Sequence, residues 1–322
     1  MRCGETGSCD QPWRRRIWTC RERRPTKQSG SLVHDRCGRV VPPILELIPS
    51  ILAGSGMSIS PRDCLIVGGG PAGLTAAIYL SRFHLDVVVV DEGRSRADWI
   101  PVARNVPGFP DGISGAALLA RMREQAQRYG VEILTARVTR LDRDGGGFVA
   151  EWGAGPAAAR TVLLATGVAN RRPEMDETLH KEALARGLIR YCPICDGFEV
   201  TDQKVGVIGS GAHGVAEAMF LRGYTADVTL IAPSDSHGLS RDDRDRLAAA
   251  GVRVLAGPAR GVAVDADRIV IETAVGDHRF DSVYPALGSD IRSQLAIGVG
   301  AGVADKQGCI LVDAHQRTDV PG

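Results

Sequence analysis

Asp63-Cys64-Leu65-Ile66-Val67-Gly68-Gly69-Gly70-Pro71-Ala72-Gly73 is the stretch on which the fold turns. Its four consecutive apolar residues, 64–67, read as a short buried strand, and the glycines follow at once. Helical spacing then runs through Leu74, Ala77, Ile78 and Phe83, and a second strand over 87–90 ends at Asp91. A strand, a G-x-G-x-x-G turn, a helix, a strand and an acid, in that order, make a dinucleotide-binding unit. Gly68, Gly70 and Gly73 let the backbone approach a pyrophosphate, which rests on the helix N-terminus opened by Pro71 and Ala72. Asp91 lies 23 residues after Gly68, where a carboxylate can accept from ribose hydroxyls.

A second unit of the same form begins at 204–208. There an apolar strand meets Gly209-Ser210-Gly211-Ala212-His213-Gly214, a helix through Leu221 and a strand over 227–231. Between the two glycine turns stands Tyr191-Cys192-Pro193-Ile194-Cys195-Asp196-Gly197-Phe198-Glu199. Cys192 and Cys195 can close into a small disulfide ring, and a helix N-terminus there would lower one thiol pKa. The adjacent Asp196 can give or take a proton as the disulfide opens. A dithiol between two nucleotide folds points to electrons moving from a cofactor to a disulfide. The alternative is half a zinc site, but no second C-x-x-C or Cys/His pair completes it. Cys64 and Cys309 lie in strand patterns and read as small apolar core residues, and His213 reads as an exposed loop histidine.

Further strands are expected over 131–141, 147–152 and 160–165, with Gly145-Gly146-Gly147 as a turn, after an amphipathic helix over 116–129. A helix over 242–250 and strands over 252–255, 268–273 and 280–287 follow, then a first-domain-like segment at 308–313. At 322 residues, 44% hydrophobic and 24% charged, the chain has material for two globular domains. The longest apolar candidate, 40–53, carries three prolines and Glu46, so no membrane span is expected. The overall charge of +1 hides a net +5 in residues 1–56 against −4 in the rest, so the main body shows no nucleic-acid footprint. The basic head reads as a disordered extension, or as translated upstream sequence ahead of a true start at Met57. With no secretory signal a reducing, cytoplasmic compartment is expected, where a C-x-x-C is more often catalytic or metal-binding than structural.

Together these motifs resemble the low-molecular-weight thioredoxin reductases of the pyridine nucleotide–disulfide oxidoreductase superfamily. The resemblance runs from about residue 61 to 322. It is carried by G-G-G-P-A-G at 68–73, N-x-P-G-F from Asn105, A-T-G ending in Thr166 and Gly167, C-x-x-C-D-G-F from Cys192, and G-x-G-x-x-G-x-x-E-A from Gly209. It implies an α/β fold of two Rossmann-like three-layer nucleotide-binding domains. The FAD domain (57–168 and 289–322) is interrupted by an inserted NAD(P)-type domain (169–288) that carries the dithiol. It also implies hydride transfer from NADPH to FAD, on to the disulfide, and then to a thioredoxin-like protein, within a homodimer. By the same resemblance, Cys195 faces the flavin, Cys192 attacks the partner disulfide and Asp196 handles the proton. Gly68, Gly70, Pro71, Ala72, Gly73, Asp91, Asn105, Thr166 and Gly167 hold FAD, while Gly209, Gly211 and Gly214 hold the nicotinamide nucleotide.

The chain departs from this pattern in two places. The family grips the 2′-phosphate of NADPH with an arginine run after its second strand, whereas here Ala232-Pro233-Ser234-Asp235-Ser236-His237-Gly238 offers none. Asp235 would repel a phosphate, and Gly214 stands where the family usually has alanine, which counts against NADPH and leaves NADH open. Relatives with such a deficit include FAD dithiol oxidases, which pass electrons from a small dithiol to oxygen, and ferredoxin-linked reductases. A dithiol oxidase can use a histidine near the dithiol, and Asp196 in that place favours a reductase. The second departure is the stop at Gly322, ahead of the family's A-G-D segment and final helix, which reads as a truncation and adds an inactive remnant to the alternatives.

Overall fold

A computed structural model of the chain describes residues 61–153, 155–304 and 308–322; the basic head and the Met57 start lie outside them. The first glycine turn joins β1 (Arg62–Val67) to α1 (Pro71–Arg82), and β2 (Val87–Asp91), α2 (Gly115–Arg128) and β3 (Glu132–Thr135) follow. Next come β4 (Arg140–Asp144), β5 (Gly147–Trp152) and β6 (Gly155–Leu164). They form one six-stranded sheet in the order β3-β2-β1-β6-β5-β4, parallel through its first four strands and antiparallel beyond. β1 from Cys64 on and β2 up to Val90 are apolar because both faces are covered there. Cys64, Ile66, Val87 and Val89 meet Ala77 and Ile78 of α1 and Ala126 of α2. The alternate residues Leu65, Val67, Val88 and Val90 meet Leu141, Phe148 and Ala150 on the opposite side.

After β7 (Val168–Asn170), α3 (Glu177–Ala185) and the short turn α4 (Pro193–Asp196), the pattern repeats. β8 (Lys204–Gly209), α5 (Gly211–Leu221), β9 (Asp227–Ile231), α6 (Arg241–Ala249) and β10 (Arg253–Leu255) lead to β11 (Gly261–Asp265), β12 (Arg268–Thr273) and β13 (Gly276–Phe280). β14 (Ser282–Ala286), β15 (Ser289–Ile291) and α7 (Gln294–Gly298) complete the described elements. A parallel sheet, β10-β9-β8-β14, packs one face on α5 and α6, and its other face meets the antiparallel sheet β11-β12-β13. The expected fold class holds: α/β, with two Rossmann-like halves. β7 and β15, the two strands that run between them, pair antiparallel. Among the described residues no helix is long and apolar enough to cross a membrane.

Three expectations are corrected. The strand read over 131–141 is two strands, β3 and β4, at opposite edges of the first sheet. The chain leaves the sheet after Thr135, where Ala136 N–H donates to Asp91 O (3.0 Å), and re-enters as Thr139 N–H donates to Glu151 O (2.9 Å). Its apolar alternation runs on through the gap because Val138, between the two strands, is buried in the core. The strand read over 280–287 likewise divides at Asp281, whose carboxylate accepts from Lys204 N–H at 2.8 Å. That contact turns the chain from antiparallel β13 into parallel β14. The segment at 308–313 forms no strand; it contributes one bridge, Val303 to Ile310, and Cys309 is exposed rather than buried.

Candidate active site

The first glycine turn is shaped by backbone contact. Gly68 has φ +110°, and a Cβ built there would lie 2.3 Å from Ala165 O; one at Gly73 would lie 2.0 Å from Gly68 O. The turn can therefore bring α1 against β1 only if both positions lack side chains. In front of it opens a cavity of about 1490 Å³. Gly68, Gly70, Pro71 and Ala72 line one wall, with Asp91, Asn105, Thr166 and Gly167 beside them. Gly73 is buried behind the turn. Asp91 closes β2 and is itself buried, with Arg123 of α2 paired to its Oδ2. The Thr166 hydroxyl donates to Arg292 O (2.6 Å), tying the end of the first sheet to the returning chain. A side-chain-free cradle beside a cavity of this size fits a flavin dinucleotide.

The same cavity is lined by Cys192, Cys195 and Asp196. The cysteines are joined in a disulfide, and Cys195 N–H donates to Cys192 O at 2.8 Å. Pro193 opens α4 with its fixed φ, and that helix is a single turn of four residues. The Asp196 carboxylate is held on both sides. Tyr284 Oη donates to Oδ1 at 2.9 Å, and Arg190 Nη1 to Oδ2 at 3.2 Å. Burial pushes this carboxyl above the usual carboxylate range, opposed by the Arg190 charge and the Tyr284 hydrogen bond.

The second glycine turn is built like the first but faces its own chain. A Cβ at Gly214 would lie 2.8 Å from Gly209 C, so the same close approach is enforced. Yet the Gly211 N–H, at the mouth of the turn, donates to His237 O at 2.7 Å. The His237 ring is anchored against Leu255 O (2.5 Å) and Gly209 O (3.4 Å). His237 thus meets the turn, and the segment 232–239 around it brings Asp235 and no arginine. Residues 232–239 therefore offer no arginine to a 2′-phosphate, and the Gly211 amide already has a backbone acceptor.

A family model described as pyridine nucleotide-disulphide oxidoreductase matches residues 62–322. The chain belongs to that family. Within it the low-molecular-weight thioredoxin reductase type fits, as the motifs imply. The chain is 35% identical over 190 residues to the thioredoxin reductase of Streptomyces clavuligerus, spanning 58% of each protein. It is 31% identical to that of Streptomyces coelicolor, over 81% of this chain and 84% of the relative. The crystal structure of thioredoxin reductase from Streptococcus pyogenes superposes with a TM-score of 0.73 at 28% identity, covering 82% of this chain and 88% of the other. The Cys192–Cys195 disulfide fits the redox-active centre of a disulphide oxidoreductase.

In this family member the sequence motifs supply only part of the cavity wall, and several neighbours of the dithiol lie outside them. Arg190 and Tyr284 carry no motif; Tyr284 sits inside an apolar run and reads as core. Trp99 packs edge-on to His180 (5.2 Å between centroids) and against Tyr191 (5.4 Å), and Arg96 Nη2 donates to Tyr191 O (3.3 Å). The residue before Cys192 is thereby fastened to the first half of the molecule. His213 is on α5 rather than in a loop, exposed and 3.3 Å from Glu217.

His180 is 1% exposed, and its Nε2 meets the Tyr191 hydroxyl at 2.8 Å. Burial, aided by the Arg172 charge, holds it below the usual imidazole value. The unfolded chain therefore takes up this proton first as pH falls. The stability from neutral His180 is complete above about pH 6.5 and is lost below it, at no more than about 1.4 kcal/mol per pH unit. Denaturation between about pH 7 and pH 5 should show this slope in the wild type and lose it in His180→Gln; equal slopes would refute the assignment.

Proposed function

We propose that this chain is a flavin-dependent disulfide oxidoreductase in which FAD occupies the large cavity and exchanges electrons with the Cys192–Cys195 disulfide. One observation carries the reading: the dithiol and the first glycine turn line the same cavity. Segments 57–168 and 289–322 make up the FAD half, to which the six-stranded sheet belongs, and 169–288 makes up the inserted half. Gly68, Gly70, Pro71, Ala72, Gly73, Asp91, Asn105, Thr166 and Gly167 hold the cofactor, which supplies two-electron chemistry when bound. Cys195 faces the flavin, Cys192 is the sulfur that meets the substrate, and Asp196 moves the proton between them and solvent. The substrate is a thioredoxin-like protein or a small disulfide or dithiol.

The electron donor separates two readings. In the first, a reduced nicotinamide binds the second glycine turn, as the thioredoxin reductase resemblance implies. The Gly211–His237 contact and the missing arginines favour the second, in which no NADPH is used and the cavity serves a dithiol, or a ferredoxin-class donor. Anaerobic titration of the FAD-supplemented chain, followed by flavin absorbance, tests both. Bleaching by a dithiol but not by NADPH or NADH is expected. Rapid bleaching by NADPH would restore the nicotinamide reading, and failure to take up flavin would overturn the proposal as a whole.

A further inference from the structure

A buried carboxyl with no partners is protonated and free to turn, whereas Asp196 is gripped by two groups from outside its own turn. Both grips come from one place in the fold. Leu188 O accepts from Val283 N–H (2.8 Å), and Val283 O accepts from Arg190 N–H (3.0 Å). The chain just before the dithiol therefore runs parallel to β14, with Ile189 bridging Val283. Arg190 at the end of that ladder and Tyr284 on β14 then reach the two carboxylate oxygens from different sides. Tyr284 is wholly buried, and its hydroxyl also reaches Asp196 O at 3.2 Å.

We propose that Arg190 and Tyr284 are positioning residues that hold Asp196 beside Cys195 and set the pH at which it exchanges a proton with the dithiol. This rests on the proposed role of Asp196. A purely structural task would suit two apolar side chains better. The Arg190 Nε is buried without a partner, a cost that one carboxylate contact does not remove. The charged and titratable groups facing Asp196 are Arg190, Tyr284, Glu199 and the neighbouring Cys195, and Arg104 from the first half stands 3.8 Å from Glu199. Burial pushes the Tyr284 phenol up, so it remains a donor across the working range. Arg190 is a permanent cation. Both therefore favour the carboxylate, against burial and Glu199. When a thiolate of a dithiol substrate attacks one sulfur of the Cys192–Cys195 disulfide and forms a mixed disulfide with it, the other sulfur leaves as thiolate, and protonated Asp196 gives it the proton and becomes the gripped carboxylate. In reverse, the carboxylate takes the proton from the thiol.

The test is anaerobic stopped-flow reduction of the FAD-reconstituted full chain by dithiothreitol, from about pH 5 to about pH 9. The dithiothreitol thiols titrate alike in every variant. Flavin bleaching needs electrons to leave the reduced dithiol, the direction in which the Asp196 carboxylate takes the proton from the thiol, so its rate should rise through an inflection that vanishes in Asp196→Asn. Tyr284→Phe, which removes one oxygen and keeps the ring in the core, should move the inflection upward by about one pH unit or more. Arg190→Gln should do the same, and Arg190→Lys should bring it back toward the wild type. A merely structural role would lower the melting temperature and leave the inflection in place. Wild-type inflections in Tyr284→Phe and Arg190→Gln, with the inflection lost in Asp196→Asn, would overturn the proposal. An unchanged profile in Asp196→Asn would instead overturn the role of Asp196 on which it stands.

Discussion

Cys195→Ser is expected to lower turnover of a small aromatic disulfide by at least about a thousandfold while leaving bound flavin in place. A serine hydroxyl cannot close a disulfide with Cys192, and at neutral pH it is not the thiolate that exchange requires. Cys195 lines the cavity but is no part of the glycine cradle, so its loss removes none of the backbone that fits the dinucleotide. Cys192→Ser should be equally inactive but spectrally different. It leaves a lone thiolate against an electron-poor ring, which should add a long-wavelength band that Cys195→Ser lacks. Residual turnover above about a hundredth of wild type, or loss of flavin from Cys195→Ser, would refute the assigned roles. The band appearing in the other variant would exchange the two cysteines.

Gly73→Ala should destabilise the chain by about 3 kcal/mol and abolish FAD retention. Its methyl would lie 2.0 Å from Gly68 O and 3.2 Å from Ala165 Cβ, both on packed backbone elements rather than on the end of a flexible side chain. Relief requires α1 to move off β1, which opens the core of Cys64, Ile66, Ala77 and Ile78 and displaces the cradle. Gly93→Ala is the control. It sits at φ +76° with nothing within 4 Å of a new Cβ, so it carries only the conformational cost of about 1 kcal/mol. Urea denaturation and flavin content of the purified variants decide the matter, and a Gly73→Ala protein with wild-type stability and flavin would refute the packing argument.

Local signals made the first unit legible. Continuous apolar strands at β1 and β2, glycines where backbones collide and an acid at the strand end are each dictated within a few residues. The dithiol and Asp196 were legible for the same reason. The stretch over 131–141 is not, because buried Val138 carries the apolar alternation across the gap between two sheet edges, and an apolar pattern holds no record of which strand is its neighbour. Cys309 was misread for a related reason. Its flanking apolar residues suit a strand, but pairing depends on a partner that the stretch itself does not specify.

Sequence alone determined the two Rossmann-like units, the cysteine pair that closes into a disulfide and the lack of arginines over 232–238, since each rests on residue type at short spacing. Only tertiary structure decided that Arg190 and Tyr284 grip Asp196, that Trp99 fastens Tyr191, and that the His237 carbonyl occupies the Gly211 amide. Those contacts join residues far apart in the chain, whose chemistry is ordinary until the fold brings them together. A tyrosine in an apolar run is a core residue by every local measure, and burial beside a carboxylate is what makes it something more.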